Sequence, residues 1–224
     1  MSFNGFSPKS ITFLKELAVN NNKQWFEKNR IVYEETLLSP LKQLTTALGN
    51  TIIHIDDNID TTPQVNRTIS RIYRDIRFSD DKSPYRTNAW ISFKRSVKIW
   101  GNVPEFYFYF TPETYQYGMG FYSALPKNMK LIRDRMEDFP DEFKKITDWY
   151  KSQKSLVLGG EEYKKIISSN LPEDFRPWFQ KRNMYLSYEK KIDDAFYNKI
   201  LKDKITQAFE SCADLYHFFI DSIF

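Results

Sequence analysis

Phe106-Tyr-Phe-Tyr-Phe110 is the stretch that most restricts what this chain can become. Strict alternation over five residues places the phenylalanines on one face of a strand and the tyrosines on the other. A second alternating run precedes it, with Tyr85, Thr87, Ala89, Ile91 and Phe93 set against Arg86, Asn88, Trp90, Ser92 and Lys94. A third strand is expected near Gln116 to Phe121. Gly101-Asn102 and Thr111-Pro112 supply short turns between them, so the three form an antiparallel meander. Aromatics make up 17% of the residues and glycines number only seven, which points to a core of packed Phe and Tyr.

The flanks read as helical. Ser7-Pro8 is a helix start, a capping hydroxyl followed by proline at the first helical position, and Phe13, Leu14 and Leu17 share one face up to about Val19. A second helix is expected from Asn22 to Leu38, with Trp25, Phe26, Ile31 or Val32, and Tyr33 inward. Ser39-Pro40 kinks or restarts it toward Leu48-Gly49. From Thr51 to Thr62 the chain is polar, and Ile52, Ile53 and Ile55 fit either a strand or a helix end. After the meander, Leu125-Pro126 opens a helix carrying Met129, Ile132, Arg133 and Met136, and Glu142 to Tyr150 forms another. A break at Gly159-Gly160 is followed by a short helix from Glu161 to Ser168, and Leu171 to Pro177 is irregular. Ile192 to Phe209 has helical spacing, and an apolar stretch ends at Phe224. With no repeat and no Gly/Ser-rich linker, the expectation is one α+β domain over residues 1–224, its antiparallel meander packed with N-terminal and C-terminal helices.

Charge is concentrated in one place. From Asn66 to Trp100 there are nine Lys/Arg and three Asp/Glu, an excess of +6, while the whole chain, with 33 basic and 29 acidic residues, is only +4; the remainder is therefore −2. A local basic patch favours anionic ligands more than evenly spread charge does. The centre of the patch reads Arg71-Ile-Tyr-Arg74-Asp75-Ile-Arg77-Phe-Ser-Asp80-Asp81-Lys82-Ser83-Pro84-Tyr85.

This stretch resembles the signature of the family known as domain of unknown function 2461. Phe13-Leu14 to Leu17, Asn21-Asn22 to Trp25-Phe26, Gly118-Met-Gly120-Phe121-Tyr122 and Ile132-Arg133 agree with it, across the first two thirds of the chain. The resemblance implies a compact single-domain α+β protein and brings no activity with it.

The residues therefore have to suggest the chemistry. Guanidinium beside Ile72, Ile76 and Phe78 keeps its charge and needs an acceptor. If Asp75 and Asp81 each satisfy one arginine, Arg71 or Arg77 and Lys82 are left over, and fixed cations of this kind suit a phosphate or carboxylate. The expected partner is a phosphate-bearing small molecule, with nucleic acid less favoured at a net charge of +4 and no membrane involved. As an enzyme the chain would hydrolyse or transfer a phosphate-bearing group. Arg71, Arg74 and Arg77 would then stabilise charge, Asp75 or Asp81 would act as base or metal ligand, and Lys82 as a clamp. Arg133 is a further candidate, closing the site from the helix side, with Tyr85, Tyr107, Tyr109 and Tyr122 as stacking surfaces. The rival is a binding or adaptor protein in which the same cluster is a structural ion network.

Other chemistries find little footing. Asp80-Asp81-Lys82-Ser83 offers hard oxygen donors but lacks the alternating ligands and glycine of a calcium loop. Cys212 is the lone cysteine, which excludes an internal disulfide and a multi-cysteine zinc site. His54 and His217 lie in unrelated contexts, so a Ser-His-Asp or Cys-His hydrolase is disfavoured. No cofactor is indicated. With no export signal and no long apolar run, the expected location is the cytoplasm.

Overall fold

Helix α1 (Pro8–Val19) starts where the sequence places it: the Ser7 amide donates to Ser10 Oγ at 3.2 Å, and that hydroxyl in turn donates to Thr36 O at 2.6 Å. The computed structural model describes residues 2–77, 80–96 and 103–224. Asn22 then caps α2 (Lys23–Lys28) by accepting from the Trp25 amide at 3.0 Å. The expected single helix from Asn22 to Leu38 is broken at Asn29. A four-residue α3 (Arg30–Tyr33) and a π-helical turn (Glu34–Leu38) lead into α4 (Ser39–Ile55). The break resets the helical phase, so Phe26 and Tyr33 are buried whereas Ile31 and Val32, expected inward, face solvent. Pro40 sits in the first turn of α4, where its missing N–H costs nothing.

The sheet has five strands in the order β1 (Ala89–Phe93), β2 (Glu105–Phe110), β3 (Thr114–Gly120), β5 (Tyr185–Lys191), β4 (Val157–Gly159), and it is antiparallel. The first three are the expected meander. Gly101-Asn102, read as its first turn, lies outside the described residues. Regular pairing begins at Ala89 rather than Tyr85. The earlier residues of that run instead meet 68–73 through isolated bridges, Tyr73 with Tyr85 and Ile69 with Ile91.

The last third departs most from expectation. Strands β4 and β5 were not foreseen, and residues 161–168 form no helix. The Gln180 side chain claims their backbone instead, donating to Tyr163 O and Lys165 O and accepting from the Ile167 amide. Leu171 to Pro177 holds a 3₁₀ turn (Glu173–Phe175) running into α7 (Arg176–Phe179). The helix expected from Ile192 begins only at Ile200, because turns from Asp193 to Asn198 fold Phe196 onto Phe6 at 4.8 Å. Helices α5 (Pro126–Asp138), α6 (Pro140–Ser152), α8 (Ile200–Ser211) and α9 (Ala213–Ile223) complete the chain.

The residues cluster into two units. The first comprises Met1–Phe93, Tyr107–Tyr117 and Glu189–Gln207; the second comprises Lys94–Phe106, Gly118–Tyr188 and Ala208–Phe224. Phe6, Phe108, Phe110 and Phe196 form one aromatic core in the first, and Phe13, Phe26, Tyr33 and Tyr85 another. In the second, Phe143 meets Phe175, Trp178 and Phe218, while Phe106 meets Phe209 and Tyr216.

Candidate functional site

The described parts of the basic stretch lie in the first unit and are strapped to the core at its two ends. Arg86 donates its amide to Ile72 O at 2.8 Å and Arg74 to Pro84 O at 2.9 Å, so 72–74 and 84–86 run side by side. Asn21 clamps the returning strand: its Nδ2 donates to Tyr85 O at 3.0 Å and its Oδ1 accepts from the Tyr85 amide at 2.9 Å. The Tyr85 ring stacks on Phe26 at 4.3 Å and is 1% exposed. Tyr85 is therefore a core residue, not the ligand-facing platform expected of it.

Within the loop, two carboxylates shape the backbone and hold the arginines at once. Asp75 Oδ1 accepts from the Arg77 amide at 3.2 Å and from Arg77 Nε at 3.0 Å, while Oδ2 takes Nη2 at 2.7 Å. Asp81 Oδ1 accepts from the Ser83 amide at 2.9 Å and from the Ser83 hydroxyl, and Oδ2 pairs with Arg74 at 2.7 Å. Each aspartate bonds the amide two residues on, the turn geometry that Asp favours. The hydrogen bonds from Arg77 hold the Asp75 carboxyl well below the usual carboxylate range, and those from Ser83 lower that of Asp81. A carboxylate so stabilised is a weak proton acceptor. Asp75 and Asp81, expected as base or metal ligand, are occupied as loop-shaping counter-ions. Among the described residues no group of three His, Cys, Asp or Glu is placed to share a metal ion.

The cations outnumber these acceptors. Arg71 reaches the same Asp75 only at 3.8 Å, and Lys82 Nζ donates to Ile76 O at 3.0 Å, a neutral acceptor. Arg71 is 45% exposed and Arg77 74%. Arg74 Nε is buried without a hydrogen-bond partner among the described residues, although its Nη1 meets Asp81.

Arg133 belongs to the second unit and is 8% exposed. Its Nη1 donates to Lys181 O at 3.1 Å and its guanidinium lies over the Tyr163 ring at 5.3 Å. Tyr107 and Tyr109 are half-buried on β2, and Tyr122 is exposed. A cleft of about 290 Å³ in the same unit, lined by Ile166, Leu171, Phe175, Arg176 and Phe179 among others, contains none of the expected site residues. Burial pushes the Cys212 thiol up to about 12, which leaves it an inert core residue.

The family model described as "Conserved hypothetical protein (DUF2461)" matches residues 9–218. The chain belongs to the DUF2461 family. The match reaches through the last third, beyond the blocks in which the resemblance is visible by eye. No curated protein matches the chain.

Several of those DUF2461 blocks are explained by packing alone. Asn22 caps a helix and Asn21 pins Tyr85. A Cβ at Gly118 would collide with Leu186 O, and Gly120, at φ 155°, lies against the backbone of Tyr185. Sequence reasoning missed Arg30 and Tyr73, which both meet the Phe26 ring, the guanidinium at 5.5 Å and the tyrosine ring at 6.1 Å. Tyr73 lay within the quoted stretch, but nothing in its spacing marks it as more exposed than Tyr85.

Proposed function

We propose that this protein binds a phosphate-bearing ligand at the exposed cations Arg71, Arg77 and Lys82, and that these residues bind rather than catalyse. The observation that carries the reading is the weak pairing of two exposed cations: Arg71 reaches Asp75 only at 3.8 Å, and the partner of the Lys82 ammonium among the described residues is a neutral carbonyl. Guanidinium groups near water release weak carboxylate partners readily, and an incoming phosphate takes up their donors bidentately. The location that fits such a ligand and a free thiol is the cytoplasm.

The second reading is a structural ion network, and the two aspartates bonded within the loop favour it. Melting curves separate the two. At low ionic strength a saturating polyphosphate, at about a hundred times its dissociation constant, stabilises by about 2.7 kcal/mol, a rise of roughly 5 to 10 °C for a chain of this size. The rise should fade as salt approaches about 0.5 M. Arg71→Ala combined with Lys82→Ala should abolish the rise and leave the unliganded melting point in place, while Lys130→Ala, an exposed lysine on α5, should keep it. A double variant that melts well below the wild type, with no shift in either protein, would establish the structural network instead.

A further inference from the structure

Tyr73 stands within the arginine segment and is 46% exposed. Its ring is fixed from one side, by Tyr85 at 5.3 Å and Phe26 at 6.1 Å. The same Phe26 ring carries the guanidinium of Arg30 at 5.5 Å, which Glu27 holds in turn through Nε at 3.0 Å and Nη2 at 2.6 Å. A single exposed tyrosine needs no explanation. Here, however, an aromatic ring is packed on one side, left half in water and flanked in sequence by two arginines. Arg71 and Asp75 pair from positions two residues to either side of it, which keeps the Arg71 guanidinium alongside this part of the backbone. Ile76, 40% exposed, adds apolar surface three residues on. A fixed ring among cations is the arrangement that takes a nucleobase on its face and the attached phosphate on its neighbours.

We infer that the anion held by this segment is a nucleotide, its base stacked on Tyr73 and its phosphate on Arg71 and Lys82. The inference rests on the anion-binding reading above and narrows it. A nucleotide unit comes either free or within a single strand, and both present the same base and phosphate.

The test compares three probes at low salt, namely inorganic tripolyphosphate, a nucleoside triphosphate and a fluorescently labelled single strand of about eight bases, against wild type, Tyr73→Phe and Tyr73→Leu. Anisotropy of the labelled strand reports binding directly, and competition reports the other two. Stacking on an aromatic side chain corresponds to a gain of about 5- to 150-fold per base, so the base-bearing probes should outbind tripolyphosphate by that factor. Tyr73→Phe should retain the gain. Tyr73→Leu should bring the base-bearing probes down to the level of tripolyphosphate while leaving tripolyphosphate binding unchanged, which also shows that the variant is folded. A strand that binds far more tightly than the triphosphate identifies single-stranded nucleic acid as the source; equal binding identifies a free nucleotide. If tripolyphosphate competes as well as the nucleotides and Tyr73→Leu alters nothing, the nucleotide inference falls and the anion reading stands. If no probe binds the wild type, both fall.

Discussion

Two cationic clusters in this protein treat the same charge in opposite ways. In the second unit Arg133 and Lys181 are each 8% exposed, and their donors are committed inside: Arg133 to Lys181 O and the face of Tyr163, and Lys181 Nζ to Glu162 at 2.9 Å and Gly160 O at 3.2 Å. In the first unit Arg71, Arg77 and Lys82 are exposed; Arg71 reaches the Asp75 carboxylate only at 3.8 Å, Arg77 pairs with the same carboxylate at 2.7 Å, and Lys82 Nζ donates to the Ile76 carbonyl at 3.0 Å. Burial forces a cation to find its acceptors during folding, since a charge left unmatched in the interior is very costly. At the surface water makes up the shortfall, so the acceptors stay exchangeable. The comparison therefore assigns stability to the buried cluster, while the binding proposed for the exposed one draws on donors that can still change partners.

The largest effect that could break this contrast is on Arg133. Arg133→Ala removes a charged hydrogen bond, a cation–π contact and the packing of a long stem, and should cost about 3 kcal/mol, lowering the melting point by roughly 6 to 12 °C. Arg77→Ala, at 74% exposure, should leave it almost unmoved. Equal losses from the two variants would abolish the distinction.

A smaller effect falls on the clamp beneath the exposed cluster. Asn21→Ala strips both backbone hydrogen bonds from Tyr85 and should cost about 2 kcal/mol. Because that clamp sets where the loop returns to the core, the variant should also weaken polyphosphate binding although Asn21 touches none of the cations. Calorimetry at a temperature where the variant is fully folded checks this. Binding as tight as that of the wild type would mean that the loop holds its form without Asn21.

The sequence announced some of this more clearly than the rest, for physical reasons. Phe106, Phe108 and Phe110 revealed their strand because one buried face imposes a period of two. Tyr185–Lys191 did not, because only Leu186 of that strand is buried and its last three residues are exposed and charged or polar. Residues 161–168 read as helical because their backbone partner, the Gln180 side chain, is distant in sequence. At the candidate site the excess of cations over carboxylates was legible by counting. The sharing of Asp75 was not, since it depends on the turn that brings Arg71 within 3.8 Å. Nor could counting separate Tyr85 from Tyr73: the two face each other across an isolated bridge, and the Phe26 ring stacks on Tyr85 at 4.3 Å while meeting Tyr73 only at 6.1 Å.

The smallest expected change is the most discriminating one, and it concerns Asp75. If the guanidinium groups around it await an anion, Asp75 competes with that anion, so Asp75→Asn should raise sulfate affinity by about severalfold while the melting point barely moves. If the cluster is a structural network, the same variant should lower the melting point and gain no affinity. The pH profile supplies the internal control. The Asp75 carboxyl lies below its usual range chiefly because of the Arg77 side chain. A carboxyl whose folded value is depressed adds stability that is present above the unfolded value and lost only as pH falls through the folded one. Between about pH 7 and 5 the carboxylate is thus fully charged, and sulfate, which does not titrate there, should bind the wild type with constant affinity. The advantage of Asp75→Asn should hold constant across the same window. A wild-type affinity that climbs toward that of the variant near pH 5 would show Asp75 titrating freely, and with it an ion pair too weak to be the competitor proposed here.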